Sequence, residues 1–162
     1  MRVFTQTFGV VGAIIEKDGK FLLVQEGRDS KFDKLMWSQP AGWIDVGEDP
    51  KDAIIREVKE ETGFDFTPTS ILGIYSLYRK DMLDRVNPAP HAIKIIFTGN
   101  VKGEQITSND EIKSLRWFSA QEIKNFDIIK LRDLDIKQEV ADYNAGKKYP
   151  LDILTHTILN RK

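Results

Sequence analysis

The chain has 162 residues, of which 41% are hydrophobic and 30% charged, and its formal net charge is −1. These values are ordinary for a globular protein, so we expect a single domain spanning residues 1–162. The absence of cysteine excludes disulfides, thiolate zinc sites and cysteine nucleophiles. The balanced charge gives no general attraction to nucleic acid or membranes, and no stretch resembles a secretory signal or a transmembrane span. We therefore expect a cytoplasmic protein.

Two apolar runs near the start of the chain predict strands, at residues 8–15 and 20–25. Lys17, Asp18 and Gly19 stand between them, and an Asp-Gly pair is a strong signal for a β-hairpin. Residues 27–34 are polar and charged, which predicts a loop.

The next element is a helix predicted at about residues 50–62. Asp49 is a suitable N-cap, Pro50 suits the first helical position, and Gly63 suits the C-terminal stop. One side of this helix is apolar and is expected to pack on a sheet. That side is formed by Ile54, Ile55 and Val58.

Three carboxylates of this helix, Glu57, Glu60 and Glu61, are spaced i, i+3 and i+4 and project from one side. We call this set the acidic ridge. Like charges this close repel one another unless a positive charge is shared between them. Arg56 supplies one such charge, and a divalent cation would supply more; all-oxygen ligands suit Mg²⁺ or Mn²⁺ rather than zinc. The spacing alone also fits a solvated acidic face, so the ridge is a candidate metal platform.

The rest of the chain alternates strands and helices. Strands are predicted at residues 70–78, 91–98 and 111–118, with a surface loop at 80–90. Ser119 and Glu122 form a capping box for a short helix to about residue 125. An amphipathic helix is predicted from residue 131 or 133 to about 144, stopped near Gly146. This order predicts a mixed α/β fold.

The stretch around the acidic ridge resembles the complete Nudix box, a glycine, an upstream glutamate and a helix with an Arg-Glu-apolar-x-Glu-Glu pattern. The matching residues are Gly42, Glu48, Arg56, Glu57, Val58, Glu60, Glu61, Gly63 and Phe64. Segments 37–42, 110–123 and 142–151 are most similar to the NudJ-type phosphatase subgroup of this family. The resemblance implies a Nudix-type α/β/α sandwich with a mixed central sheet.

The resemblance also implies roles for these residues. The acidic ridge would bind Mg²⁺, with Mn²⁺ as a substitute, together with the carbonyl of Ala41, which stands where many members carry a second glycine. Glu57 or Glu60 would handle the proton of the attacking water, and Arg56 would orient the carboxylates. Glu48 would support the box. Glu111, outside the box, is an alternative base or ligand, with Asp110 and Glu104 as weaker candidates for that task.

Substrate-binding residues are less evident. Arg79 is the first candidate for a phosphate clamp, followed by Trp37 and Arg28, with Tyr75 and Tyr78 as further candidates for stacking or clamping. Ordinary packing or a solvated surface is the alternative for each of them. His91 is expected to be structural, and Trp117 and Phe118 are expected in the core.

The function implied is a Mg²⁺-dependent hydrolase of phosphate anhydrides in small nucleotide-type pyrophosphates. The NudJ-type resemblance favours nucleoside di- or triphosphates or thiamine-pathway pyrophosphates. ADP-ribose, oxidised nucleotides and 5′ phosphates of RNA are alternatives, of which RNA is the least supported. A different class is a non-catalytic nucleotide-binding module, but such modules usually lose box glutamates. A related isomerase would need a cysteine. The expected partner is a small phosphorylated molecule, with neither nucleic acid nor membrane; a homodimer is compatible with the sequence.

Overall fold

The computed structural model describes residues 7–27, 35–80, 90–108, 112–127 and 131–160. Within these residues, strands and helices follow one another in a mixed order, and a short 3₁₀ helix (Leu151–Ile153) lies near the end. The elements are β1 (Thr7–Ile14), β2 (Glu16–Lys17), β3 (Lys20–Glu26), β4 (Trp37–Ser38), β5 (Ala41–Trp43), α1 (Pro50–Thr62), β6 (Asp65–Tyr78), β7 (His91–Lys102), β8 (Ile112–Ser119), α2 (Ala120–Asn125) and α3 (Ile136–Asn144).

Two sheets organise these strands. In the first, the order is β5-β1-β7-β6, with β1 parallel to β7 and the other pairs antiparallel. In the second, β8 pairs with one edge of β3, and β2 and β4 pair with the other edge. The parallel pair makes the first sheet mixed, which confirms the predicted fold class.

The predicted hairpin is formed, but its first strand is shorter than expected. Asp18 and Gly19 have φ values of 52° and 75°, the positive values that a tight hairpin turn requires. The turn joins β3 to β2, which has two residues, whereas β1 pairs in the first sheet. The chain therefore passes from one sheet to the other at Ile15, whose carbonyl accepts a hydrogen bond from Leu22 N (3.0 Å).

The helices lie on opposite faces of the first sheet. α1 packs on the face that carries Val11, Ala13 and Phe97, whereas α3 packs on the face that carries Ile14 and Ile96. This gives the α/β/α layering that the sequence predicts. The predicted packing side of α1 needs one correction: Ile54 and Val58 are fully buried, but Ile55 is 39% exposed, and Ala53 takes its place in the core.

Several boundaries differ from the predicted ones. β6 begins at Asp65 and tolerates Pro68, since the register shifts between Pro68 and Ser70 where the β6–β7 ladder is irregular. α3 begins only at Ile136, after Asp135. The short strands β4 and β5 were not predicted because two or three residues carry no periodic signal. Residues 81–89 of the predicted surface loop lie outside the described residues.

In the part of the chain described here, no helix is long and apolar enough to cross a membrane.

Candidate active site

The ends of α1 are fixed by its own flanking residues. The Asp49 side chain accepts a hydrogen bond from Lys51 N (2.9 Å), and Pro50 is the first helical residue. At the other end Gly63 has φ = 80°, and its amide donates to Lys59 O at 2.9 Å. Glycine adopts this left-handed conformation without steric cost. All three predicted end signals are confirmed, so the register of the acidic ridge follows from local sequence.

Arg56 is hydrogen-bonded to three of the four glutamates of the box. Its Nε and Nη2 each donate to one oxygen of Glu48 at 2.9 Å, a two-pronged ion pair. Its Nη1 donates to Glu57 Oε1 (2.6 Å) and to Glu60 Oε2 (3.3 Å). Nη2 also reaches the Trp43 carbonyl at 3.1 Å. One guanidinium thus offsets the repulsion of three carboxylates and ties them to the end of β5.

These contacts change how the groups titrate. The hydrogen bond from Arg56 and another from the Asp45 amide lower the pKa of Glu48 to about 2. The Glu48 hydrogen bond in turn holds the pKa of Arg56 above its usual range. Burial raises the pKa of Glu57, and the hydrogen bond from Arg56 opposes that shift only in part. Glu48 therefore stays ionised at neutral pH, whereas Glu57 binds protons more readily than an exposed glutamate.

Gly42 makes room for Glu57. A Cβ placed on Gly42 would lie 2.0 Å from Cδ of Glu57, so any other residue would collide with that carboxylate. Glycine at this position therefore lets Glu57 sit directly against the β5 backbone, and a larger residue would push that carboxylate away.

Ala41 contacts the third member of the ridge. Its amide donates to Glu61 Oε2 at 3.0 Å. Since Ala41 pairs with Gly12 of β1, Glu61 is held against the first sheet. The structure thus places Ala41 and Gly42 next to the ridge, as the sequence predicts.

The donor set fits a divalent cation at an open site. All members are carboxylates, the ligands that Mg²⁺ prefers. Within the described ranges, no three acidic or histidine side chains converge closely enough to hold a metal ion alone. Mg²⁺ commonly keeps several waters and takes one or two carboxylates plus substrate phosphates, so a closed cage is not required. The ridge therefore suits a partly hydrated ion, whose remaining positions waters would fill in the free protein and substrate phosphates would fill during turnover.

The candidate substrate contacts and the candidate bases outside the box lie in different parts of the fold. Arg79 forms an ion pair with Asp133 (3.1 Å), and its side chain is 17% exposed. The Trp37 ring packs edge-on against Phe118, with the ring centroids 4.9 Å apart, as part of the core on the α3 face. Arg28, Asp110 and Glu111 lie outside the described residues, and Glu104 is exposed.

The aromatic and histidine candidates take part in structural contacts. Tyr75 donates to Asp142 Oδ2 (2.9 Å), and burial followed by this bond holds its pKa above the usual range. His91 Nε2 lies 2.9 Å from Ser76 Oγ, in keeping with the structural role expected of it. Phe118 is buried, and Trp117 is partly buried against the core on the α1 face, as expected of both.

A second cluster of charged side chains lies on the α3 face, and the sequence analysis did not predict it. We call Gln39, Lys94, Asp135 and Glu139 the buried polar network. Lys94 Nζ is 2.9 Å from Asp135 Oδ2 and 2.9 Å from Glu139 Oε1. Gln39 Nε2 donates to Glu139 Oε2 at 2.6 Å. The available signal was a lysine inside the apolar run of β7 and a glutamate beside the apolar stripe of α3.

Burial affects the pKa values of Glu139 and Lys94 with different net results. It raises the pKa of Glu139 to about 7, although the Lys94 ammonium acts in the opposite direction. Burial also opposes the charged form of Lys94, but Glu139 and the neighbouring aspartates hold its pKa above the usual range. Lys94 therefore stays charged, whereas Glu139 changes charge near neutral pH.

Comparisons with known proteins agree with this geometry. The family model of the NUDIX domain matches residues 5–139. An ADP-ribose pyrophosphatase of Methanocaldococcus jannaschii is 33% identical over 122 residues, covering 75% of this chain and 68% of that protein. Phosphatase NudJ of Escherichia coli is 28% identical over 148 residues, covering 89% and 88%. A solved NUDIX hydrolase from Nitrosomonas europaea matches with a TM-score of 0.82 and 33% identity, covering 94% of this chain and 98% of that one.

Proposed function

Since the chain belongs to the Nudix family of hydrolases, we propose that it is a Mg²⁺-dependent enzyme that cleaves phosphate anhydride bonds in small nucleotide-type pyrophosphates. Members of this family generally use divalent metals such as Mg²⁺ and act on small phosphorylated substrates. The observation that supports the proposal best is the assembly of Glu48, Glu57 and Glu60 around Arg56. A module without catalytic function would have no need to keep this carboxylate set together.

The residues have separable tasks in this proposal. A bound Mg²⁺ would polarise the phosphate oxygens and lower the pKa of a coordinated water. Glu57, Glu60 and Glu61 would hold that ion, and Ala41 would contribute its carbonyl. Glu60 has a 56% exposed side chain, so it can meet incoming water and accept a proton, whereas Glu57 is 14% exposed and held by Arg56. Arg56 would keep these carboxylates oriented while the substrate binds.

Two substrate classes follow from the relatives. The similarity to phosphatase NudJ covers most of both chains. It is in keeping with the substrates that the sequence resemblance favours, nucleoside di- or triphosphates or thiamine-pathway pyrophosphates. The similarity to an ADP-ribose pyrophosphatase has the higher identity, over a shorter stretch, and supports ADP-ribose as the second candidate. For either class, Arg79, Trp37 and Arg28 remain candidate substrate contacts and Glu111 a candidate base.

A substrate panel tests the proposal. Nucleoside di- and triphosphates, thiamine-related pyrophosphates, ADP-ribose and other nucleotide sugars are incubated with the protein, with Mg²⁺ and with excess EDTA, and products are separated by chromatography. We expect cleavage of at least one compound with Mg²⁺ and none with EDTA. Binding without turnover across the whole panel would contradict the proposal and favour a nucleotide-binding module.

Variants that remove the charge of single ridge glutamates test whether these residues take part in catalysis. Glu60→Gln and Glu61→Gln are each expected to lower kcat by about 10²-fold or more, since metal ligands and proton acceptors act in the transition state. The matched control is Glu122→Gln, in which glutamine can keep the capping box of α2 while the charge is lost. Wild-type turnover in the ridge variants would exclude the proposed mechanism.

A further inference from the structure

The segment 39–41, which runs from the end of β4 to the first residue of β5, has contacts on both faces of the first sheet. On the α3 face, the Gln39 side chain is 1% exposed. Its Nε2 is packed against Gly12 of β1, since a Cβ built on Gly12 would lie 3.4 Å from it. Towards α1, the Ala41 amide holds Glu61, and Gly42 lies against Glu57. The segment itself is fastened by a hydrogen bond from Ala13 N to Pro40 O at 2.9 Å. Gln39 thus lies only two positions before Ala41, whose amide bonds to the ridge.

Gln39 is held by charged groups that are themselves buried and paired. Its partner Glu139 is 0% exposed, and Lys94, which pairs with Glu139, is 1% exposed. Lys94 is also paired with Asp135 at the start of α3. The bond from Gln39 to Glu139 thus ties the 39–41 segment to both β7 and α3.

Such a network is costly as a means of stabilising a fold. Burying a charged pair often gives no net stability compared with apolar residues of the same volume. Glu139 could pair with Lys94 alone, since Lys94 reaches it at 2.9 Å without Gln39. The additional bond from Gln39 supplies a donor to Glu139 Oε2, and it ties the β4–β5 connection, which the Ala13 N–Pro40 O bond fastens to β1, to α3 as well.

We propose that Gln39 is a positioning residue for the acidic ridge: its bond to Glu139 sets the place of Ala41 and Gly42, and through them the places of Glu61 and Glu57. This inference rests on the proposed function, because it assigns Gln39 to the same metal-dependent site. Gln39 acts through the backbone and touches neither metal nor substrate. Its loss should therefore change the affinity of the ridge for a cation more than the affinity for the substrate.

The test uses Gln39→Met, which keeps the length of the side chain and removes its hydrogen bonds. Mn²⁺ binding to the substrate-free protein is measured by titration calorimetry, and kcat and KM are measured at saturating Mg²⁺. We expect about tenfold weaker Mn²⁺ binding, the usual cost of losing a residue that orients metal ligands, and a lower kcat. KM for the substrate is expected to stay within about twofold of wild type.

The matched control is Gln138→Met. Gln138 donates to Asp142 Oδ1 (2.8 Å) and lies on α3, the helix that carries Glu139, so the same chemical change is made next to Glu139 without involving the 39–41 segment. Mn²⁺ affinity and kcat are expected to match wild type. Thermal unfolding is recorded for all variants, so that binding is compared only between folded proteins.

A double variant exchanges the two partners. In Gln39→Glu with Glu139→Gln, the amide on α3 can donate to the new carboxylate at position 39, which stays within the network around Lys94. We expect this variant to regain most of the Mn²⁺ affinity lost in Gln39→Met. If Gln39→Met does not fold, the double variant serves as the test, since the exchanged pair retains a hydrogen bond. It is then compared with Gln39→Glu alone, which places two carboxyl groups side by side.

The outcomes separate this inference from the proposed function. Wild-type Mn²⁺ affinity and kcat in folded Gln39→Met, with only a lower melting temperature, would overturn the positioning role. An equal loss in Gln138→Met would overturn it as well. If the wild-type protein binds Mn²⁺ but hydrolyses nothing, the proposed function fails while the Mn²⁺ affinities still decide the role of Gln39.

Discussion

At the scale of single residues, Gly42 determines where a carboxylate can lie. We predict that Gly42→Ala lowers kcat by about 10- to 100-fold, because the new methyl group displaces Glu57 from its place against β5. The free energy of unfolding should fall by about 1–3 kcal/mol, as is usual for overpacking. Steady-state kinetics and urea unfolding measure the two effects.

Gly146→Ala is the control for this prediction. Gly146 has φ = 77° with no atom near the added Cβ, so alanine there strains only the backbone after α3. We expect about 1 kcal/mol of lost stability and wild-type kcat. If Gly42→Ala also kept the wild-type kcat, catalysis would not depend on the present position of Glu57.

Arg56 serves the site through the shape of its guanidinium group as well as through its charge. Lysine at this position keeps the charge but cannot make the paired contact to Glu48 while also reaching Glu57. We predict that Arg56→Lys lowers kcat by about tenfold or more. Retained kcat, measured at saturating Mg²⁺, would show that the charge alone is sufficient.

At the scale of elements, α1 depends on its N-cap. Asp49→Ala removes the acceptor for Lys51 N and is expected to lower the free energy of unfolding by about 1 kcal/mol. Asp49→Ser keeps an acceptor and should lose much less. Denaturant titration measures both, and equal losses would mean that the cap bond contributes nothing.

Elements that carry their own end signals were predictable from sequence, and the others were not. α1 was predicted to its residues because Asp49, Pro50 and Gly63 act locally. The pairing of β1 with β7, far away in the chain, has no local signal, since an apolar run is compatible with either sheet. The Asp18-Gly19 turn was correctly predicted because a turn is local, although the extent of its first strand was not.

At the scale of the whole molecule, the burial of Glu139 makes stability depend on pH. Its pKa in the fold is about 7, above the ordinary value of 4.5. A raised pKa in the folded state contributes stability that is complete below pH 4.5 and is lost as pH rises through 7. Lys94 keeps its charge throughout this range because its pKa is held above the usual value.

We therefore predict that the wild-type protein loses roughly 2 kcal/mol of stability relative to Glu139→Gln between about pH 5 and pH 8. The Gln variant has no titrating group at this position and serves as the reference. Free energies of unfolding from urea titrations at several pH values measure the difference. Parallel curves for the two proteins would mean that Glu139 is ionised at all these pH values.

Contacts of the candidate site that are local in the sequence could be predicted, whereas contacts between distant residues could not. Glu48, Arg56 and Glu57 lie within ten residues and could be assigned together. The bond from Gln39 to Glu139 joins residues 100 positions apart, and no spacing rule connects them. The roles of the ridge residues, the extent of a single domain and the cytoplasmic location stay predictions, whereas the family and the mixed-sheet fold are confirmed.

The position of Trp43 has a practical consequence. Of the three tryptophans in the chain, Trp43 is the most exposed, at 59%, although its ring also contacts Phe8 with the centroids 4.5 Å apart. Its carbonyl accepts a hydrogen bond from Arg56. An indole in water is quenched by dissolved acrylamide far more readily than one within a protein interior. Because Arg56 is bonded to the Trp43 carbonyl, we expect a shift of the guanidinium on cation or substrate binding to move the backbone that carries this indole. The indole lies on the face of the first sheet opposite α1, since Trp43 pairs with Val10 whereas Gly42, which faces Glu57, pairs with Val11. A change in acrylamide quenching on addition of Mg²⁺ or substrate would therefore report movement of the end of β5, without an attached dye.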